Sequence, residues 1–357
     1  MSKQDHQPPS SEGSLAEQSE EIVRGIYRGF LGREPEPAGL RYWCNMIQAT
    51  GDPGKVLNSI TQSDEFRRIG AFKSKHKTQK RLLAAQAQAI FQQRPLTIVD
   101  VGAKELAGQV HAYASIFEHQ LPHQVIGFEP LEDKLNLSSL RNQAQHATCF
   151  PILIGDGKQH TFHINNVEAT SSLLPFNREL IADLVDLSPL QTIRTETVAT
   201  STLDQALCGL GYIDFLKLDI QGFELTALQH AQQVLGRTNV VHCEVSFAEI
   251  YQGQALFSEV ELLMRDQGFY FLDFSSTCHY PCHCASNSLS RDRLGWADAV
   301  FLKTPDLLLS PLDLLAQSLI ALFFYEKYSI AENLMERYDQ ANGSAFAKLF
   351  GSEAASS

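Results

Sequence analysis

Apolar positions in the first part of the chain repeat at helical spacing. Ile22, Val23, Ile26, Tyr27 and Phe30 mark one amphipathic helix, with Ser19 as its expected N-cap. Pro35 and Pro37 in GREPEP end it, because proline cannot supply an interior N–H. AGLRYWCNMI (38–47) reads as a second helix, KVLNSITQ (55–62) as a third and SDEFRRI (63–69) as a short fourth. Helices this short bury little, so they predict a small bundle. Beyond residue 82 the period changes. LTIVDV (96–101), QVIGFEP (124–130), ATCFPILIG (147–155), DFLKLDI (214–220), VVHCEV (240–245), FYFLDF (269–274) and DAVFLK (298–303) are apolar runs of strand length. QHTFHIN (159–165) and TETVATSTL (195–203) read as further extended pieces. Helical patterns fall between them, at 109–119, 131–144, 223–235 and 256–267. That alternation predicts a mostly parallel sheet covered on both faces. In the tail, Leu312, Leu315, Leu319, Leu322 and Phe323 form an apolar stripe, read as a docking helix pair or a dimer contact.

These patterns divide the chain into a disordered N-terminus (1–19), a small helical domain (20–72), and a basic linker with a helix (73–94). An α/β domain (95–305), a helical C-terminal extension (306–350) and a disordered tail (351–357) follow.

Composition narrows the class without changing that division. The net charge of −12 argues against a nucleic-acid groove. KSKHKTQKR (73–81) is expected to be a solvated linker rather than a phosphate-binding patch. The apolar run LIALFFY (319–325) is too short to span a bilayer, and the polar start MSKQDHQPPSSEGS does not resemble a secretory signal. The seven cysteines lack paired spacing and are expected to be reduced thiols of a cytoplasmic protein. CHYPCHC (278–284) gathers three cysteines and two histidines, but no second ligand pair follows. It is expected to be a partly exposed loop, with no metal site.

The candidate chemistry lies at strand ends, where α/β sheets bind their ligands. Asp100 and Gly102 end the first strand, Glu129 and Pro130 the second, and Asp156 follows the third. A dinucleotide loop of the G-x-G-x-x-G type needs a middle glycine, but Lys104 stands there in GAKELAG. A nicotinamide-dependent oxidoreductase is therefore the weaker alternative. Three acids on successive strand ends suit a cofactor with an ammonium, a sulfonium and a ribose diol but no pyrophosphate, which is S-adenosylmethionine.

VDVGA (99–103), GFEP (127–130), SSLL (171–174), TLDQAL (202–207), FLKLDIQGFEL (215–225) and the stretch 240–271 occur in that order. Together they resemble the FkbM family of S-adenosylmethionine-dependent methyltransferases. The resemblance implies a bacterial enzyme with a Rossmann-like class I methyltransferase fold, a mostly parallel seven-stranded sheet, and O-methylation of a sugar, glycan or related hydroxyl. It places Asp100, Gly102 and Ala103 in the first cofactor loop, Glu129 and Pro130 at the ribose and Asp156 near the adenine. Two departures stand out. The family's first loop reads G-A-N-x-G, and its fourth-strand motif often reads D-x-E-G-x-E, where this chain has DIQGFE with Gln221 in place of an acid. Upstream, YRGFLGREPEPAGLRYW (27–43) and SDEF (63–66) resemble a small bacterial helical domain of unknown function, similar to phycobilisome linker repeats. That implies an interaction module with a protein partner, or a carbohydrate-associated module.

Methyl transfer to a hydroxyl needs a group that takes the hydroxyl proton. Asp219 is the first candidate, because it lies two residues past Lys217 on the same side of the strand and an adjacent ammonium favours the ionised form. Glu244 is the second, as base or as substrate acceptor, and His242 shares its strand face as an interior histidine. Ser171, Ser172 and Glu224 are candidate substrate contacts. The competing reading is a non-catalytic scaffold or carbohydrate-associated binding protein with a degenerate methyltransferase domain.

Overall fold

The computed structural model describes residues 15–102, 111–129, 146–286 and 290–351. The expected helix at 131–144, the loop residue Ala103 and Pro130 lie outside the described residues. The chain divides into two compact units, Met1–Gln79 and Lys80–Ala355.

The first unit is helical, with helices at Leu15–Ile26, Pro37–Thr50 and Gly54–Thr61 and a π-helical turn at Tyr27–Leu31. Val23, Tyr27, Leu31, Ile47, Val56 and Ile60 form its core. Trp43 Nε1 donates to the Tyr27 hydroxyl at 2.9 Å, so the two aromatic residues satisfy each other's polar atoms. Two expectations change here. Ser19 is not an N-cap: it is buried inside a helix that already runs from Leu15. The basic stretch 73–81 is helical, since a single helix runs from Asp64 to Gln93 and contains the expected short fourth helix, and the boundary between the two units falls within that stretch. Lys, Arg, Gln and Ala are strong helix formers, and no proline interrupts this stretch, so its polarity does not end the helix.

The described part of the second unit has ten strands, seven of them in one sheet. In chain order the strands are β1 (Leu96–Val101), β2 (His123–Phe128), β3 (Ala147–Phe150), β4 (Leu153–Ile154), β5 (Gln159–Asn165), β6 (Thr192–Ser201), β7 (Ile213–Leu218), β8 (Thr238–Ser246), β9 (Phe269–Tyr280) and β10 (Arg293–Lys303). The main sheet has the order β3-β2-β1-β7-β8-β10-β9, and β4, β6 and β5 make a small second sheet. Pairings from β3 across to β8 are parallel, and β10 runs antiparallel between β8 and β9. This is the Rossmann-like α/β fold with its mostly parallel seven-stranded sheet.

Both faces are covered, which explains why β1 is buried along its whole length. Ile98, Phe215, Val240 and Val300 point to one face, against Leu83, Phe91, Leu315, Leu319 and Phe323. Val99, Leu216, Val241 and Phe301 point to the other, against helical Leu228, Val234, Val260 and Met264. The tail is thus part of the main core. Its helix Pro311–Phe323 is buried on nearly all sides and pairs with the helix Tyr328–Asn342. Arg94 bridges Asp214 at 3.0 Å and Asp313 at 2.6 Å, so that β7 and this tail helix share one cation. No helix among the described residues is long and apolar enough to cross a membrane.

Three further expectations change. ATCFPILIG is not one strand: β3 stops at Phe150, and after Pro151 the chain crosses to the small sheet as β4. Proline has no N–H for the ladder, so the break falls where the chemistry requires it. The helix expected over 223–235 is two short helices, Glu224–Gln229 and Gln232–Gly236. CHYPCHC is strand through Tyr280, and only its later part is irregular.

Candidate active site

Strand addition reverses direction between β1 and β7, and the carboxyl edge there opens into a cavity of about 490 Å³. That volume is ordinary for a small-molecule site. Its floor comes from strand ends: Asp100 and Gly102 at the end of β1, Phe128 and Glu129 at β2, Lys217 and Asp219 at β7, and Glu244 at β8. Trp296 and Asp298 of the antiparallel β10 reach the same edge. Ile154 and Phe162 of the small sheet, the turn 168–171 and Tyr251 form the walls.

Strand pairing sets the charge arrangement. Asp100 and Lys217 are register partners, and Lys217 Nζ lies 3.3 Å from Asp100 Oδ1. The Tyr113 hydroxyl donates to Asp100 Oδ2 at 2.8 Å. On its other side Lys217 Nζ lies 3.6 Å from Asp219 Oδ2. Burial opposes the charge on Lys217, but attraction to Asp100 and then Asp219 outweighs it and holds the ammonium above its usual range.

Two close approaches fix this geometry. Gly102 has φ +80°, and a Cβ there would stand 2.0 Å from the backbone oxygen of Asp219. The loops after β1 and β7 therefore touch, and only glycine fits between them. Gln221 is left-handed at φ +55° without being glycine. Its Nε2 donates to Asp219 Oδ1 at 2.9 Å and to Glu244 Oε2 at 3.4 Å, and its Oε1 is 3.0 Å from the Tyr251 hydroxyl. A carboxylate at this position would have no N–H to donate; the carboxamide bridges the two acids. The substitution first read as a lost acid therefore has a role in the arrangement.

The carboxyls are sorted by environment. Burial, then Asp219, Glu224 and Asp298, push Glu244 well above the usual range, which favours its protonated form. Asp298 goes the other way: burial opposes ionisation, but the His242 imidazole 3.6 Å away, the Ser276 hydroxyl that donates to it and Lys217 together outweigh it and keep the carboxyl below its usual range.

Most sequence candidates converge on this cavity, with three exceptions. Asp156 does not line it. With the third strand broken at Pro151, Asp156 follows β4 and pairs with His160 Nε2 at 2.7 Å and Lys158 Nζ at 3.1 Å. Glu224 is buried behind the floor, where it accepts the Ile220 and Gly222 N–H groups at 2.8 and 3.2 Å. Ser171 lines the cavity, but Ser172 donates to the Gln221 carbonyl at 2.6 Å and braces the loop from behind. Sequence reasoning missed His111, Gln221, Tyr251, Tyr280, Trp296 and Asp298, which line the cavity. Asp298 had one legible signal, a lone acid inside the apolar run ADAVFLK.

A parallel sheet with an acid-lined cavity at its switch point defines a Rossmann-type cofactor domain. Residues 100–271 match the family model described as Methyltransferase FkbM domain. This region is a methyltransferase domain of the FkbM family. Residues 12–69 match a Domain of unknown function (DUF4214). Among solved structures, precorrin-6y C5,15-methyltransferase from Geobacter metallireducens GS-15 aligns at 9% identity over 61% of this chain and 89% of its own. Its TM-score of 0.29 is too low to inform fold or substrate. No curated protein matches the chain.

Proposed function

We propose that the α/β domain binds S-adenosylmethionine and methylates a hydroxyl of a sugar, glycan or related small molecule. The observation that carries this reading is the pairing of two features in one cavity: Glu129 at the β2 edge and the Lys217–Asp219–Gln221 cluster at the β7 edge. The residues fit the cofactor. A carboxylate at Glu129 suits a ribose diol, Phe128, Ile152 and Ile154 offer apolar faces to a purine, and the excess of acids suits a sulfonium and an ammonium. When bound, S-adenosylmethionine supplies an electrophilic methyl carbon whose leaving group is a neutral thioether.

The chain's own residues do the rest. Asp219 takes the proton of the attacking hydroxyl as the oxygen–methyl bond forms. Lys217 and Gln221 hold its two oxygens in place. Glu244, whose protonated form burial and the neighbouring acids favour, donates a hydrogen bond to the acceptor. Tyr251 and the turn 168–171 keep bulk water from the reacting centre. The described residues that line the cavity all belong to the second unit, which leaves the N-terminal helices for a protein partner.

Titration calorimetry with S-adenosylmethionine and S-adenosylhomocysteine tests the reading. Micromolar binding of both is expected, followed by transfer of labelled methyl to hydroxyl acceptors. Binding of neither would leave the scaffold alternative standing.

A further inference from the structure

The C-terminal segment reaches the sheet next to the cavity. The hydroxyl of Tyr325, just beyond the helix Pro311–Phe323, lies 2.9 Å from Nδ1 of His242 on β8. The two rings are nearly parallel, at 18°. On the far side of the imidazole, Nε2 faces Asp298 Oδ1 at 3.6 Å. Asp298 lines the cavity on β10 as the register partner of Glu244, and its other oxygen accepts the Ser276 hydroxyl. The groups facing Asp298 are thus Glu244 and His242 on β8, Lys217 on β7, Ser276 on β9 and Tyr325 behind His242.

The imidazole tautomer follows from its partners. Burial, then Asp298, hold the Tyr325 phenol well above its usual range, so it is neutral. A neutral phenol can donate or accept, so the carboxylate decides: the ring proton sits on Nε2, facing Asp298, and Nδ1 accepts from the Tyr325 hydroxyl. The opposite tautomer would turn a lone pair toward Asp298. Glu129 and Asp100 sit at β2 and β1, so a cofactor held there leaves the β8–β10 side of the cavity, with Asp298 and Trp296, for the acceptor.

We propose that Asp298 is a substrate-binding carboxylate that accepts a hydrogen bond from the acceptor, and that His242 and Tyr325 are its positioning residues. The C-terminal extension then takes part in acceptor recognition. This inference rests on the methyl-transfer reading above.

Two measurements on the full chain test it. The first is ¹⁵N NMR of the histidine side chains, with His242→Gln to assign the signal. The Nε2–H tautomer is expected in the wild type, giving way to mixed tautomers in Tyr325→Phe. A wild-type Nδ1–H tautomer, or no change in the variant, would overturn the positioning role. The second uses methyl hexopyranosides as acceptor probes. Asp298→Asn should raise the acceptor KM about 10-fold while S-adenosylmethionine affinity stays within about 2-fold, as loss of one charge-assisted hydrogen bond implies. Tyr325→Phe should move the acid limb of the kcat/KM profile to higher pH, because Asp298 loses its oriented partner; a merely structural role would scale activity without moving the limb. Normal KM in Asp298→Asn would overturn the inference alone. Cofactor binding without turnover of any glycoside by the wild type would remove the hydroxyl-acceptor reading and this inference with it.

Discussion

Replacing Gly102 with alanine tests whether the loops after β1 and β7 are locked together. The Gly102 N–H donates to the Phe128 carbonyl at 3.0 Å, and the Asp219 N–H donates to the Val101 carbonyl at 3.0 Å, so the ends of β1, β2 and β7 are tied at one point. An added Cβ would stand 2.0 Å from the Asp219 oxygen. Ordinary carbon–oxygen contact begins near about 3.3 Å, so something must move by roughly 1.3 Å. Relieving such an overlap costs about 1–3 kcal/mol. Holding an alanine in left-handed backbone adds about 1–2 kcal/mol. The total is about 2–5 kcal/mol, which in a unit of this size lowers Tm by roughly 4–10 °C. Gly343→Ala separates the two costs. Gly343 has φ +64° with nothing within 4 Å of its would-be Cβ, so only the conformational part should appear there. The overlap also displaces Asp219, and a shift of about 1 Å at a reacting group slows turnover roughly 100-fold. Calorimetric melting and a methyl-transfer assay read both effects. A Gly102→Ala protein that melts no lower than Gly343→Ala and turns over normally would show that these loops move independently.

Three other perturbations separate the parts of the site. Glu129→Ala removes the charged acceptor proposed for the ribose diol and should weaken S-adenosylmethionine binding by about 100-fold or more, with the fold intact. An unchanged calorimetric Kd would end that assignment. Asp219→Asn should leave cofactor affinity nearly unchanged and slow turnover about 100-fold or more, as loss of a general base implies; near-normal kcat would take Asp219 out of the mechanism. Glu224 addresses stability instead. Burial raises its carboxyl from 4.5 to about 7, so the folded state keeps a proton that the unfolded state gives up first. The wild type therefore loses stability as pH rises through that window, whereas Glu224→Gln loses none from this group. Urea melts at pH 5 and pH 8 should show the variant gaining about 1–3 kcal/mol relative to the wild type, and a constant difference would contradict the buried, protonated state.

The parts of this fold that were legible in sequence are those written in short-range pattern. The central strands of the main sheet, β1, β7 and β8, announce themselves because a strand buried on both faces must be almost wholly apolar. The same rule makes Asp100, Lys217, Asp219 and Glu244 conspicuous, since a charge at the end of such a run needs a reason to be there. What sequence did not convey depends on backbone turns with no periodicity. Asp156 looked equivalent to Asp100 and Glu129 because ATCFPILIG is apolar throughout, yet one proline sends its second half to another sheet. Gln221 looked like a lost acid because a motif records residue types and not φ. In the left-handed turn its carboxamide N–H groups reach two carboxyls, which a carboxylate could not do. Tyr325 is hardest of all, since it lies 83 positions from His242 at the end of a helix whose stripe suggested only docking. These cases share a cause. Strand ends bring charges to one edge, but contacts between loops decide which of them face a substrate, hold a proton or brace a neighbour.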